Sequence, residues 1–410
     1  MSSYEDKRRL SLKQHQLDPH DIQYGLLDHS QGSETRGRVM RVHALERLGQ
    51  AARWLGTRFT PTMIILLYHR VFDAPTDPQR LCVHPERFSE HLEHLDRYYS
   101  VLSLSQLAKA LKERRLPKRA VVVTFDDGYA DNLHHAKPLL ERYNIPATVF
   151  VTTGYVGQQK EFWWDELERL LLLSPRVPEQ LKVTVNGTTY SWHMDEDTNS
   201  FYGQWHVELR DTPTTRHRAY LEMHRLLRPL QYKEQEGVLA DMREQIGDNG
   251  QCRPDYLALT PEEVRLLAAD GLVEIGSHTV THPVLSVQPL EVQRYELVES
   301  KEQLEAILGH PVTSLAYSYG GGGDAGDETA ALAREAGYEI GCANFPALVT
   351  HRSDIFQLPR FLVRDWDGDE FAHRLGYNFL IGGIKYDPKW PFRFGQMILN
   401  HLKRTLKFPE

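Results

Sequence analysis

The chain has 410 residues, 41% hydrophobic and 25% charged, with a net charge of −8 and three cysteines. That balance excludes disorder and leaves ample core for one large α/β domain with an insertion. It also lacks the basic footprint that phosphate backbones attract, so no nucleic-acid partner is expected. Cys82, Cys252 and Cys342 are odd in number and far apart, which fits neither a disulfide framework nor a C-x-x-C zinc site; buried thiols are the expectation.

Residues 1–60 read as an N-terminal extension. Its opening, "MSSYEDKRRLSLKQHQLDPHDIQYG", is polar and lacks the apolar core of a secretory signal, and no run reaches the length of a membrane span, so a cytoplasmic location is expected. From Met40, "MRVHALERLGQAARWLGTRF" is amphipathic and basic, suited to packing on the domain or to peripheral membrane association. Then "MIILLYHRV", Met63 to Val71, runs without alternation, as a strand buried on both faces does. Pro85 to Tyr98 carries a helical period and "SLSQLAKAL" a second helix, before the strand "RAVVVTFDDG". "NLHHAKPLLERYN" is a helix ending at Asn144 and "PATVFVTTG" a strand. This β-α-β rhythm predicts a largely parallel sheet.

From 155 to 256 the rhythm breaks, and the segment reads as an α+β insertion. "FWWDELERLLLL" is an amphipathic helix, "LKVTVNGTTYSW" a hairpin whose Asn186-Gly187 suits a type I′ turn, and "TTRHRAYLEMHRLLRPL" either a solvated face or a lid. Regularity returns at "TPEEV", where Thr260 and Glu263 form a capping box; Gly271 ends that helix before the strand "LVEIG".

Two features carry chemistry. In "VVVTFDDGYADN" two aspartates leave a buried strand together, and such neighbours resist joint ionisation unless a cation or proton separates them. In "GSHTVTHP", His278 and His282 follow a strand and precede Pro283, which places them on a loop or single turn. One aspartate and two histidines at the C-terminal ends of parallel strands make a His₂-carboxylate set of the kind that binds catalytic zinc.

"TFDDG" followed by "SHTVTH" resembles the polysaccharide deacetylases of carbohydrate esterase family 4, the NodB-homology domain, over roughly Met63 to Asp367. The resemblance implies a distorted (β/α) barrel built from 61–154 and 257–380, with 155–256 inserted and 381–410 as a tail. It implies that Asp127, His278 and His282 hold a divalent metal, zinc first, with cobalt or nickel suiting the same ligands, and that Asp126 is the catalytic base. "LAYSYGGGG" resembles the third motif, in which the tyrosine, here Tyr319, offers its backbone N–H to the oxyanion; Ala316 and Ser318 stand where many members have Arg and Pro. "LLYHRV" resembles the start of the circularly permuted poly-N-acetylglucosamine deacetylases, making His69 the acid for the leaving amine, with a rate that falls as pH rises past neutrality. "QLPRFLVRDWDGDEF" lies where the fourth motif belongs: Arg360 would hold Asp126 in place of the missing arginine, Asp365 would orient the acid histidine and Trp366 would line the acyl pocket. Trp163 and Trp164 anchor the insertion helix or stack on sugar rings.

The expected function is metal-dependent removal of N-acetyl groups from a sugar in a polysaccharide, an oligosaccharide or a lipid- or nucleotide-linked precursor, the missing signal favouring the precursor. The alternatives are an amidohydrolase of a small amide or cyclic imide and a catalytically dead sugar-binding module, against which a free Asp126 speaks. An open groove lined with exposed aromatics would favour glycans, a closed pocket the small amide. Oligomeric state is left open.

Overall fold

A computed structural model describes residues 62–194, 203–209, 211–321 and 323–381. The polar N-terminus, the amphipathic stretch from Met40 and the C-terminal tail lie outside them. Twelve strands occur among the described residues. β1 is Met63–Tyr68, β2 Arg70–Val71, β3 Cys82–Val83, β4 Ser100–Leu102, β5 Ala120–Phe125 and β6 Ala147–Val151. β7 is Gln180–Val185, β8 Thr188–His193, β9 Val273–Ser277, β10 Ser314–Ala316, β11 Ile340–Cys342 and β12 Phe361–Leu362.

The main sheet runs β11-β10-β9-β6-β5-β1-β12, every neighbour parallel, with β4 added beside the first half of β5. β1, β5 and β6 are buried at every position, which is why they read as unbroken apolar runs. The sheet curls until its edges meet. Leu358, just ahead of β12, donates to Gly341 O at 2.9 Å and accepts from Ala343 N at 2.8 Å, pairing in parallel with Cys342 of β11. The result is the distorted (β/α) barrel of the NodB type, closed through an irregular seam rather than a full strand.

Helices cover the outside. α1 (Pro85–Tyr98) starts on Pro85, and α2 (Leu104–Lys112) starts at the Ser103–Gln106 capping box. α3 (Lys137–Tyr143) follows a π-helical turn over Asn132–Ala136 and stops at Asn144, φ 49°. The expected helix is therefore wound in two ways, and the widened turn lies directly after the Asp126-Asp127 strand end.

The insertion folds around its own apolar cluster, in which Trp163, Leu167, Leu181, Tyr220, Met223 and Leu239 are fully buried. It comprises α4 (Trp163–Glu168), the β7-β8 hairpin, α5 (Thr215–Leu227) and α6 (Tyr232–Ile246). The hairpin turns through Asn186 (φ 49°) and Gly187 (φ 77°) with Val185 opposite Thr188, the type I′ geometry. α7 (Pro261–Ala268) carries the Thr260–Glu263 box, α8 is Leu290–Leu308, α9 Asp327–Glu335 and α10 Gly368–Ile381. Cys82 and Cys342 are buried free thiols, but Cys252 is only half-buried. No helix among the described residues is long and apolar enough to cross a membrane.

The core also contains a pH-sensitive group. His91 of α1 is fully buried between Tyr68 Oη (3.2 Å) and Trp366 O (2.7 Å), and its ring stacks on Phe371 at 4.1 Å. Burial lowers its pKa to about 4. Above pH 6.5 both folded and unfolded chains hold it neutral; below 6.5 the unfolded chain takes a proton that the folded one refuses, so stability falls toward pH 4. One unit is worth about 1.4 kcal/mol, so His91 alone contributes a loss of roughly 3 kcal/mol at pH 4. Thermal melts of wild type and His91→Gln at pH 7 and pH 5 check this: the variant is expected to lose less Tm on acidification, and equal losses would exclude the contribution.

Candidate active site and metal centre

The C-terminal ends of β1, β5, β9 and β10 bring His69, Asp126-Asp127, His278 and Tyr319 to one barrel mouth, as catalytic groups of parallel barrels are placed. Asp127, His278 and His282 are all buried, with one candidate ligand atom of each within 4.8 Å of the others. Nε2 of His278 and of His282 lie 3.5 and 3.4 Å from Asp127 Oδ1. His278 Nδ1 donates to Ala316 O at 2.8 Å, which fixes the tautomer and leaves the Nε2 lone pair free. The backbone is held in left-handed conformations at Asp127 (φ 73°), Thr279 (67°), His282 (60°) and Tyr319 (60°). Such strain gathers where the surroundings hold side chains in set positions.

The electrostatics divide the two aspartates. Burial pushes the Asp127 carboxyl well up, and the neighbouring Asp126 and Asp165 carboxylates add to this. Burial would raise Asp126 too, but the Arg360 guanidinium, with help from His278, holds it below the usual carboxylate range. Arg360 is itself buried and grips Asp126 through two 2.7 Å bonds, Nη1 to Oδ1 and Nη2 to Oδ2, while Nε donates to Ala343 O. Burial keeps both His278 and His282 neutral. A buried carboxylate with no cation of its own, facing two neutral imidazoles, is a donor set that fits a divalent metal. Asp126 already has its cation.

Tyr319 N–H has no hydrogen-bond partner among the described residues, so it is available to an oxyanion. His69 lies close enough to Asp126 and His278 for their charges to act on it, and its Nδ1 is buried without a partner. Burial lowers His69 to about 3. That burial favours a neutral imidazole at rest, so an acid role for His69 would need a proton gained during the reaction.

Asp365 is not brought to the site. Its side chain is 41% exposed, pairs with Arg87 at 2.7 Å and accepts from His84 N. The residue beside it, Arg364, is the one whose charge reaches His69, with its guanidinium anchored on Arg80 O and Glu208. Trp366 is elsewhere too, packed against the main core with Arg374 over its ring.

The insertion supplies two contacts that the sequence did not reveal. Trp164 packs its ring 4.8 Å from His282 and donates to Tyr129 Oη, which in turn donates to Asp165. Arg228, at the end of α5, lies 4.5 Å over the Tyr319 ring while binding Asp324 at 2.9 Å. The α5 segment is therefore not merely a solvated face: Tyr220 and Met223 are buried, and Arg228 at its end covers Tyr319. The sequence signals were the adjacent tryptophans and the lid alternative for the stretch that ends in Arg228, neither of which singled out Arg228.

The chain thus places a buried His₂-Asp set beside an arginine-held carboxylate at the mouth of a parallel α/β barrel. Residues 113–179 and 226–341 match the polysaccharide deacetylase family model. Among curated proteins it is similar to a putative polysaccharide deacetylase, YxkH, of Bacillus subtilis, 26% identical over 32% of this chain and 46% of that protein. It is also similar to the poly-beta-1,6-N-acetyl-D-glucosamine N-deacetylase of Staphylococcus aureus, 29% identical over 23% of this chain and 38% of that protein. The matches thus span less than half the length of these curated relatives. Among solved structures, the Streptococcus pyogenes deacetylase PplD in complex with acetate aligns over 77% of this chain and 99% of its own, at 19% identity and a TM-score of 0.48.

Proposed function

We propose that the chain is a metal-dependent N-deacetylase of N-acetylglucosamine-containing glycans or their precursors. The observation that carries this reading is the buried Arg360–Asp126 pair, which keeps one carboxylate ionised and outside the ligand set of Asp127, His278 and His282. A divalent cation held by those three residues, zinc by donor type, would supply Lewis acidity toward an amide carbonyl and an attacking water. Asp126 takes the proton of that water, since its pKa is held low enough for it to be ionised whenever the enzyme is neutral or mildly acidic. The free Tyr319 N–H donates to the oxygen of the tetrahedral intermediate. His69 accepts a proton in the course of the reaction and passes it to the departing amine, with Asp126 as its nearby source. Trp164, against His282, closes the site toward the insertion.

One observation favours a second reading. Asp127, His278 and His282 are at most 5% exposed, beneath Trp164 and Tyr319, an enclosure that suits a small amide or cyclic imide. The choice is tested by acetate release from poly-β-1,6-N-acetylglucosamine, its short oligomers and a nucleotide-linked N-acetyl sugar, run beside ring opening of a cyclic imide. Turnover of at least one glycan or sugar precursor, with none of the imide, is expected. The reverse pattern would replace the glycan reading with the amidohydrolase.

A further inference from the structure

Thr279 and His282, at the start and end of the turn that carries the two histidine ligands, have positive φ, 67° and 60°. Threonine is β-branched and rarely adopts that region, so forces from outside must hold the turn. Part of the hold comes from the barrel: Thr153 N and Gly154 N donate to Thr279 O and Val280 O at 3.1 and 2.8 Å. A further part comes from a single carboxylate. Glu296, on α8 and only 3% exposed, accepts Val280 N and Thr281 N on Oε2, both at 2.8 Å, and the Thr281 hydroxyl on Oε1 at 2.5 Å. Among the described residues no Lys, Arg or His forms an ion pair with it, so its partners are the donors of this turn. Three donors and no acceptor match an ionised carboxylate.

The same turn is tied to the tyrosine loop. Thr279 Oγ1 lies 3.0 Å from Ser318 Oγ, beside Tyr319, and accepts from His282 N at 3.1 Å. Loosening the Glu296 end would therefore free both the reach of His282 toward Asp127 and the register between the turn and Tyr319.

We propose that Glu296 is a positioning residue for the metal site: by binding the two N–H groups between His278 and His282 it sets the mutual orientation of the imidazoles. The inference rests on the metal reading of the Asp127-His278-His282 set. Residues that orient metal ligands in this way usually change affinity by roughly tenfold to a hundredfold when removed.

The test is cobalt(II) affinity by competition with a coloured chelator, together with the visible absorption spectrum of the cobalt-loaded protein, on wild type, Glu296→Ala, Glu296→Asp and Glu296→Gln. Glu296→Ala is expected to bind about tenfold to a hundredfold more weakly, with an altered spectrum. Glu296→Asp, one methylene too short to reach both N–H groups, should also bind more weakly. Glu296→Gln should recover most of the affinity, because its amide oxygen can still accept both N–H groups. Circular dichroism separates misfolding from loss of affinity, and if the alanine variant does not fold, the aspartate variant decides. Wild-type affinity and spectrum in a folded Glu296→Ala or Glu296→Asp would overturn the positioning role while leaving the metal site intact. Failure of wild type to bind cobalt would instead overturn the metal reading itself.

Discussion

Asp126→Asn is expected to keep near-normal metal content and to lose on the order of 10² to 10⁴ in kcat, the usual range for a positioned general base. The asparagine is nearly isosteric and keeps an acceptor for Arg360, but it cannot take a proton. Asp126 is absent from the compact ligand set and is instead fixed by two charge-assisted bonds to Arg360, so the metal site should survive the change. Stability should not. Arg360 is fully buried, and neutralising its only carboxylate partner among the described residues leaves a desolvated cation, a loss of about 3 to 5 kcal/mol. The variant should therefore melt well below wild type, and kcat must be measured where it remains folded. Metal content and kcat measured together decide the roles: metal lost in step with activity would exchange those of Asp126 and Asp127.

The strands were legible because parallel strands buried on both faces are written as unbroken apolar runs, and β1, β5 and β6 are of that kind. The candidate metal set was legible for a related reason, since the "FDDG" and "SHTVTH" segments stand where such runs end. Arg360 could be placed because it substitutes for the arginine missing at Ala316, and the structure seats it on Asp126. Asp365 could not. It stands in a bend past β12, where Trp366 N bonds Arg364 O, and that bend turns its carboxylate out to Arg87. His69 was placed by motif, but the burial that lowers its pKa to about 3 is a property of packing rather than of local sequence. The roof was the least legible part. Trp164 and Arg228 reach His282 and Tyr319 from an insertion with its own core, contacts between distant segments that leave no periodic trace.

The largest effect of all is expected from removing the metal. Asp127 is a buried carboxyl pushed toward its neutral form by burial and by Asp126, and His278 and His282 are kept neutral around it. Without a cation, none of those three groups offers positive charge to polarise an amide carbonyl or to activate a water. The remaining groups, an ionised Asp126 and one backbone N–H, would be a weak catalyst on their own. The most direct measurement is acetate release from poly-β-1,6-N-acetylglucosamine by the protein as isolated, after stripping with a strong chelator, and after return of zinc, cobalt or nickel. Release should fall to background on stripping and return with about one equivalent of divalent metal per chain, while Asp127→Ala, His278→Ala and His282→Ala stay inactive whatever is added. Undiminished release from stripped protein, or metal-restored release in those three variants, would contradict the account.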